Sequence, residues 1–146
     1  MSNAEHFRRL ERLYHSAPTN RYYEPRIEVG DGVAEVSLTI KPDFLHAAAA
    51  VHGSVYFKLL DDAAFFAANS RVEGVFVLTA SFNLHFLRPV STGRLRARGR
   101  LVNASRRLLV AESELFDEDD RLLARGSGTF MPSELDLEEW DRAAAP

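Results

Sequence analysis

Val51-His52-Gly53-Ser54-Val55-Tyr56-Phe57-Lys58-Leu59-Leu60-Asp61-Asp62-Ala63-Ala64-Phe65-Phe66-Ala67-Ala68 is the stretch that decides how this chain is read. It predicts a helix over about residues 53–70, apolar on nearly every face, and such a helix belongs in a core. Two carboxylates stand at its middle, where a carboxylate is costly unless it is paired or used. Neighbours on a helix point ~100° apart, so Asp61 and Asp62 meet different surroundings. Lys58 lies four residues before Asp62 and can pair with it. That gives Asp62 a structural task, as a partly exposed pair at the helix edge. Asp61 has Phe57, Ala64 and Phe65 along its flanks and no second lysine. A carboxylate with little water has a raised pKa and can act as a base or nucleophile. The structural alternative for Asp61 is satisfaction by backbone donors.

Gly53 opens the helix. A helix N-terminus presents unpaired N–H groups and partial positive charge, and a glycine there lets a ligand carbonyl come close. An oxyanion hole needs that arrangement, although a plain helix-entry turn uses glycine too. Ser54 lacks the strand–Gly-x-Ser-x-Gly–helix elbow of a nucleophilic serine and reads as a helix-start residue. His46 and His52 flank an alanine-rich loop, but no third ligand is evident, so no metal site is expected. His85 alternates with Leu84 and Phe86 on a strand and reads as a surface or interface residue.

Working outward, the chain has 146 residues, enough for one domain with a sizeable core. Hydrophobic residues make up 46% and charged residues 27%, as in ordinary globular proteins rather than disordered ones. The net charge of −3 gives no basic footprint for nucleic acid. The absence of cysteine excludes disulfides, thiolate catalysis and cysteine-held metals. No apolar run is long enough to cross a membrane, and the polar start lacks a signal-like segment, so a cytoplasmic protein is the default expectation.

Phe7, Leu10, Leu13 and Tyr14 predict an amphipathic helix over residues 4–15, stopped at Ala17-Pro18. Residues 22–31 read as extended, with Gly30-Asp31-Gly32 as a turn into a strand ending at Lys41-Pro42-Asp43. Beyond the central helix, strands are predicted over residues 75–87, 93–103, 108–117 and 121–131. Consecutive strands joined by short turns are expected to pair antiparallel. The resulting fold class is α+β, one sheet wrapped over one helix. The expected divisions are a helical segment at 1–19, the domain at 20–132, and a loosely held tail at 133–146.

Arg94, Arg96, Arg98 and Arg100 alternate on one predicted strand, and Glu112 and Glu114 on the next. A turn near Ser105 would set Arg98 opposite Glu112 and Arg96 opposite Glu114. A solvated face with weak ion pairs is the plain reading, and contact with ligand phosphates is the sharper one.

His52-Gly53-Ser54, the aspartate nine positions after that histidine, the alanine-rich helix end and Asn83-Leu84-His85-Phe86-Leu87-Arg88-Pro89 together resemble the hotdog-fold acyl-CoA thioesterases of the phenylacetate-pathway (PaaI-like) type. The resemblance spans about residues 20–131. It implies a long antiparallel sheet around the central helix and a homo-oligomer, either a dimer or a dimer of dimers. It also implies that acyl-CoA lies between subunits in a shared site. Asp61 matches the catalytic carboxylate and Gly53 the backbone donor to the thioester carbonyl. His46, His52, Ser54 and Thr79 match positions near the substrate, Thr79 being a hydroxyl that in some relatives helps hold water. Ser54 replaces a second glycine, His46 an asparagine, and Ala49 a glycine. Asp61 then either deprotonates water or attacks the carbonyl itself, with no metal or redox cofactor required. Phe57, Phe65, Phe66, Phe82 and Phe86 are candidates for the acyl pocket, although core packing explains each equally well. A hotdog dehydratase and a non-catalytic acyl-CoA binder are the competing expectations.

Overall fold

The computed structural model describes residues 2–144; residue 1 of the expected N-terminal segment and residues 145 and 146 of the expected tail lie outside them. The elements run α1 (Asn3–Ser16), α2 (Asn20–Tyr23), β1 (Arg26–Gly30), β2 (Val33–Thr39), a 3-10 turn (Pro42–Phe44), α3 (Gly53–Asn69), β3 (Val75–Phe86), β4 (Arg94–Ala104), β5 (Leu109–Phe116), β6 (Leu122–Asp136) and α4 (Leu137–Ala144). All six strands form one antiparallel sheet, in the order β1-β2-β4-β5-β6-β3. The long helix α3 packs along it, which is the hotdog arrangement.

Small residues let α3 sit deep against the sheet. Ala63, Ala64, Ala67 and Ala68 are all buried. Opposite them, a Cβ added to Gly99 of β4 would stand 2.0 Å from the Ala63 carbonyl oxygen. The sheet backbone therefore rests directly on the helix backbone at that point. Leu59 and Leu60 are fully buried, and the Ser113 hydroxyl of β5 donates to the Leu60 carbonyl at 2.7 Å.

The pairing of consecutive strands holds for β4, β5 and β6 but not for β3, which pairs with β6 at the sheet edge. The connection after β3 does not turn back. It crosses the start of α3, where Val51 N–H donates to the Val90 carbonyl (2.8 Å) and the Tyr56 hydroxyl to that of Arg88 (2.8 Å). Pro89 in that crossing has no N–H to extend a ladder. As a result β3 keeps one side unpaired among the described residues.

The β4–β5 register differs from expectation by two positions. Arg98 faces Glu114 and Arg100 faces Glu112. The turn is centred on Arg106-Arg107, with Ser105 N–H donating to the Leu108 carbonyl, and a bulge between Leu101 and Asn103 absorbs one residue. A two-residue shift keeps every side chain on its face, so arginine still meets glutamate.

Residues 20–23 are a helical turn rather than extended chain. Asn20 Nδ2 donates to the Tyr14 carbonyl (2.8 Å), and Glu24 leaves the turn with φ 55. The stretch from Pro132 is also better held than a loose tail. It continues β6 to Asp136, buries Leu137, and ties α4 to α1 through Asp141 with Arg9 (3.2 Å) and Arg12 (2.8 Å).

Candidate active site

Gly53, Phe57 and Asp61 are four residues apart and share one face of α3. Strand β3 runs back along that face. The Phe86 ring comes within 3.0 Å of where a Gly53 Cβ would be. Phe82 meets Phe57 edge-on, ring centroids 5.7 Å apart. The Thr79 hydroxyl donates to Asp61 Oδ1 at 2.9 Å. A register shift between Thr79 and Ser81 makes this possible, because the extra residue puts both Thr79 and Phe82 on the helix side. Phe82 also lies over Gly126 and Gly128 of β6, where a Cβ would stand 2.6 Å from its ring. Sequence reading did not single out those glycines, although two glycines inside a strand pattern signal a close approach.

Burial raises the Asp61 carboxyl to about 6, against the opposing pull of the Thr79 hydrogen bond; the Asp62 charge adds to the rise and Lys58 reduces it. Its Oδ2 has no protein partner among the described residues. Asp62 is accounted for differently. Lys58 Nζ reaches its Oδ2 at 2.9 Å and the Tyr14 hydroxyl of α1 donates to the same atom at 2.8 Å. The pair is thus more enclosed than a helix-edge pair. Tyr14 covers it, a contact that no spacing within the helix could reveal.

At the helix start, His52 is the N-cap. Its Nδ1 accepts from Ser54 N–H at 2.9 Å and lies 2.8 Å from Ser54 Oγ. With Nδ1 as acceptor, Nε2 carries the ring proton and is free to donate. The Gly53 N–H has no partner among the described residues, as the first turn of a helix dictates. The His46 ring stands 6.5 Å from that of His52, its Nδ1 accepting from Ala48 N–H at 3.0 Å. Ala49 in that turn has φ 63, a conformation that favours glycine. Among the described residues no group of three or more His, Asp or Glu is placed to hold a metal ion.

The predicted site residues therefore gather in two places. Asp61 and Thr79 form one cluster; His46, His52, Gly53 and Ser54 form the other. Eight residues of helix separate Asp61 from Gly53, about 12 Å at 1.5 Å per residue. Phe66 packs in the core against Tyr14, centroids 5.2 Å apart, while Phe57 and Phe86 stay exposed along the seam between α3 and β3. Arg96 and Arg98 reach Glu35 at 4.0 and 3.6 Å, and Arg96 also reaches Asp120 at 2.6 Å. Those contacts fit the plain reading of a solvated, paired face.

A profile of the thioesterase superfamily matches residues 48–124, a range that holds Asp61, Thr79, His52, Gly53 and Ser54 and begins just after His46. A Mycobacterium tuberculosis protein named provisionally as an esterase is 31% identical over 103 residues, covering 68% of this chain and 74% of its own. The solved structure of a conserved Pseudomonas aeruginosa protein superposes with a TM-score of 0.75 at 30% identity, covering 80% of this chain and 94% of that one. The Escherichia coli PaaI protein from the phenylacetic acid degradation operon shares the fold, with a TM-score of 0.83 at 20% identity, over 92% of this chain and 97% of its own. By the profile match, which spans more than half of its residues, the chain belongs to the thioesterase superfamily.

Proposed function

We propose that this protein hydrolyses the thioester of an acyl-CoA, with a small, aromatic or medium-chain acyl group, at sites shared between two copies of the chain. Family membership and the relatives' names support hydrolysis of an ester or thioester as the coarse activity. The observation that carries the finer reading is the desolvated Asp61, held by Thr79 beside the unpaired edge of β3.

The ~12 Å between Asp61 and Gly53 is too long for both to reach one carbonyl within a protomer. An antiparallel partner docked along the same seam brings the Gly53 of one copy to the Asp61 of the other. The thioester oxygen then accepts from the Gly53 N–H, with the helix dipole adding to the polarisation. Asp61 Oδ2 takes a proton from water, and the water oxygen attacks the carbonyl carbon. The tetrahedral intermediate collapses with cleavage of the C–S bond, and the CoA sulfur leaves and takes up a proton. Each step uses side chains and backbone alone. His52, through Nε2–H, and His46 flank the Gly53 end, where polar groups of the substrate would meet them.

Free-thiol release from a panel of acyl-CoAs tests the proposal. Hydrolysis of at least one member is the expected result. Tight binding without thiol release would establish an acyl-CoA binder instead.

A further inference from the structure

Beside Asp61 a groove of about 240 Å³ opens between α3 and the helical arm formed by α1 and α2. Leu13 and Ala17 wall it from the arm, Phe65 and Phe66 from α3, and Phe76 from β3. Its one charged side is Asp61 together with the Lys58–Asp62 pair, and Asp62 is already occupied by Lys58 and Tyr14. The unspent charged group in the groove wall is therefore Asp61 through its Oδ2, with Thr19 and Asn20 the polar side chains on the arm, and much of the remaining wall is hydrocarbon and aromatic ring.

The arm is a fixed wall rather than a loose flap. A capping box closes its start, with the Ser2 hydroxyl accepting from Glu5 N–H and the Glu5 carboxylate from Ser2 N–H. His6 Nε2 lies 2.8 Å from the Asn69 carbonyl at the end of α3. Glu11 accepts from Val29 N–H and Arg8 donates to the Val29 carbonyl, both at 2.8 Å, so α1 also grips β1. Leu10 is fully buried beneath it.

We infer that the α1–α2 arm forms the closed end of the acyl pocket and sets which acyl groups the enzyme accepts, with Ala17 and Thr19 at its rim as the size-determining positions. This rests on the thioester reading above. A carbonyl carbon at Asp61 must carry its acyl chain to one side of α3. The unpaired edge of β3 is where the docked partner would lie, and this groove opens from Asp61 toward the arm instead. Its volume equals about eight liquid-water volumes, which suits a medium-length chain or a single aromatic ring. The arm lies outside residues 48–124, so selectivity would be set by a segment separate from the matched core.

The test uses the full-length protein and acetyl-, butyryl-, hexanoyl-, octanoyl-, dodecanoyl- and phenylacetyl-CoA. Ala17→Phe adds a ring at a half-buried position facing the groove. The ratio of kcat/KM for octanoyl- or phenylacetyl-CoA over acetyl-CoA should then fall by about tenfold or more, the scale at which a pocket discriminates by size. Thr19→Trp, at an exposed position, should lower the same ratio, and it carries the test if Ala17→Phe does not fold. Hydrolysis by the folded variants with an unchanged ranking of acyl groups would overturn the arm's role and leave the thioesterase reading standing. No thiol release from any of the six by the unmodified protein would overturn both.

Discussion

Asp61→Asn should do two opposite things, abolishing most of the activity while making the protein more stable. The wild-type carboxyl is displaced from 3.8 to about 6, chiefly by burial. That displacement corresponds to ~3 kcal/mol of penalty on the ionised form at neutral pH, an upper figure that residual solvent access brings to ~2 kcal/mol. The amide is neutral and close to the same size, and its oxygen still accepts from the Thr79 hydroxyl. For a chain of this length ~2 kcal/mol raises Tm by ~4–8 °C. The pH dependence follows from the direction of the displacement. The folded carboxyl binds its proton more tightly than the unfolded one, so the wild type loses stability as pH rises from about 4 through about 6. The Tm advantage of the variant should be full at pH 8 and vanish near pH 4. On the activity side, losing a general base costs about a hundredfold or more in kcat. Wild-type kcat/KM should itself fall as pH drops below about 6. Thermal scans at pH 4, 6 and 8, run beside thiol-release assays, measure both. An unchanged or lower Tm at pH 8 would show that the charge is already compensated, and normal turnover would remove Asp61 from the chemistry.

Gly53→Ala places a methyl group 3.0 Å from the Phe86 ring at the helix start. The ring must shift, and kcat should fall by up to about a hundredfold, the scale of a misplaced oxyanion donor, with little change in Tm; activity within about twofold of wild type would remove Gly53 from that role. Gly99→Ala drives a methyl into the Ala63 carbonyl, backbone against backbone, and should cost about 3 kcal/mol or more in urea denaturation. A loss below about 1 kcal/mol would mean that α3 can lift off the sheet. Arg98→Ala should change stability by less than about 1 kcal/mol and leave KM for acyl-CoA unchanged, because Arg98 sits on a solvated, paired face. A several-fold rise in KM would place a substrate phosphate there.

The helices and strands were largely legible in the sequence because their signals are local. The apolar run after His52 gave α3 nearly to the residue, and alternation gave β3 to β6 within a few positions. Asp61 stood out for a local reason too, since a carboxylate without a partner on an apolar helix is anomalous whatever surrounds it. Misreadings fell where the outcome depends on distant chain. Residues 20–23 became a helical turn because Asn20 reaches back to Tyr14, and the tail was pinned because Arg9 and Arg12 hold Asp141.

Sequence alone thus determined the fold class, the central helix and the residues suspected of chemistry, because periodicity and charge patterning act over a few neighbouring positions. Tertiary structure decided what those residues meet. Strand β3 lies at the edge because the crossing through Pro89 carries the chain over α3 rather than back beside it. A single-residue bulge decided that Thr79 faces Asp61. The desolvation that raises the Asp61 carboxyl is a property of everything packed around it, and no linear spacing encodes that.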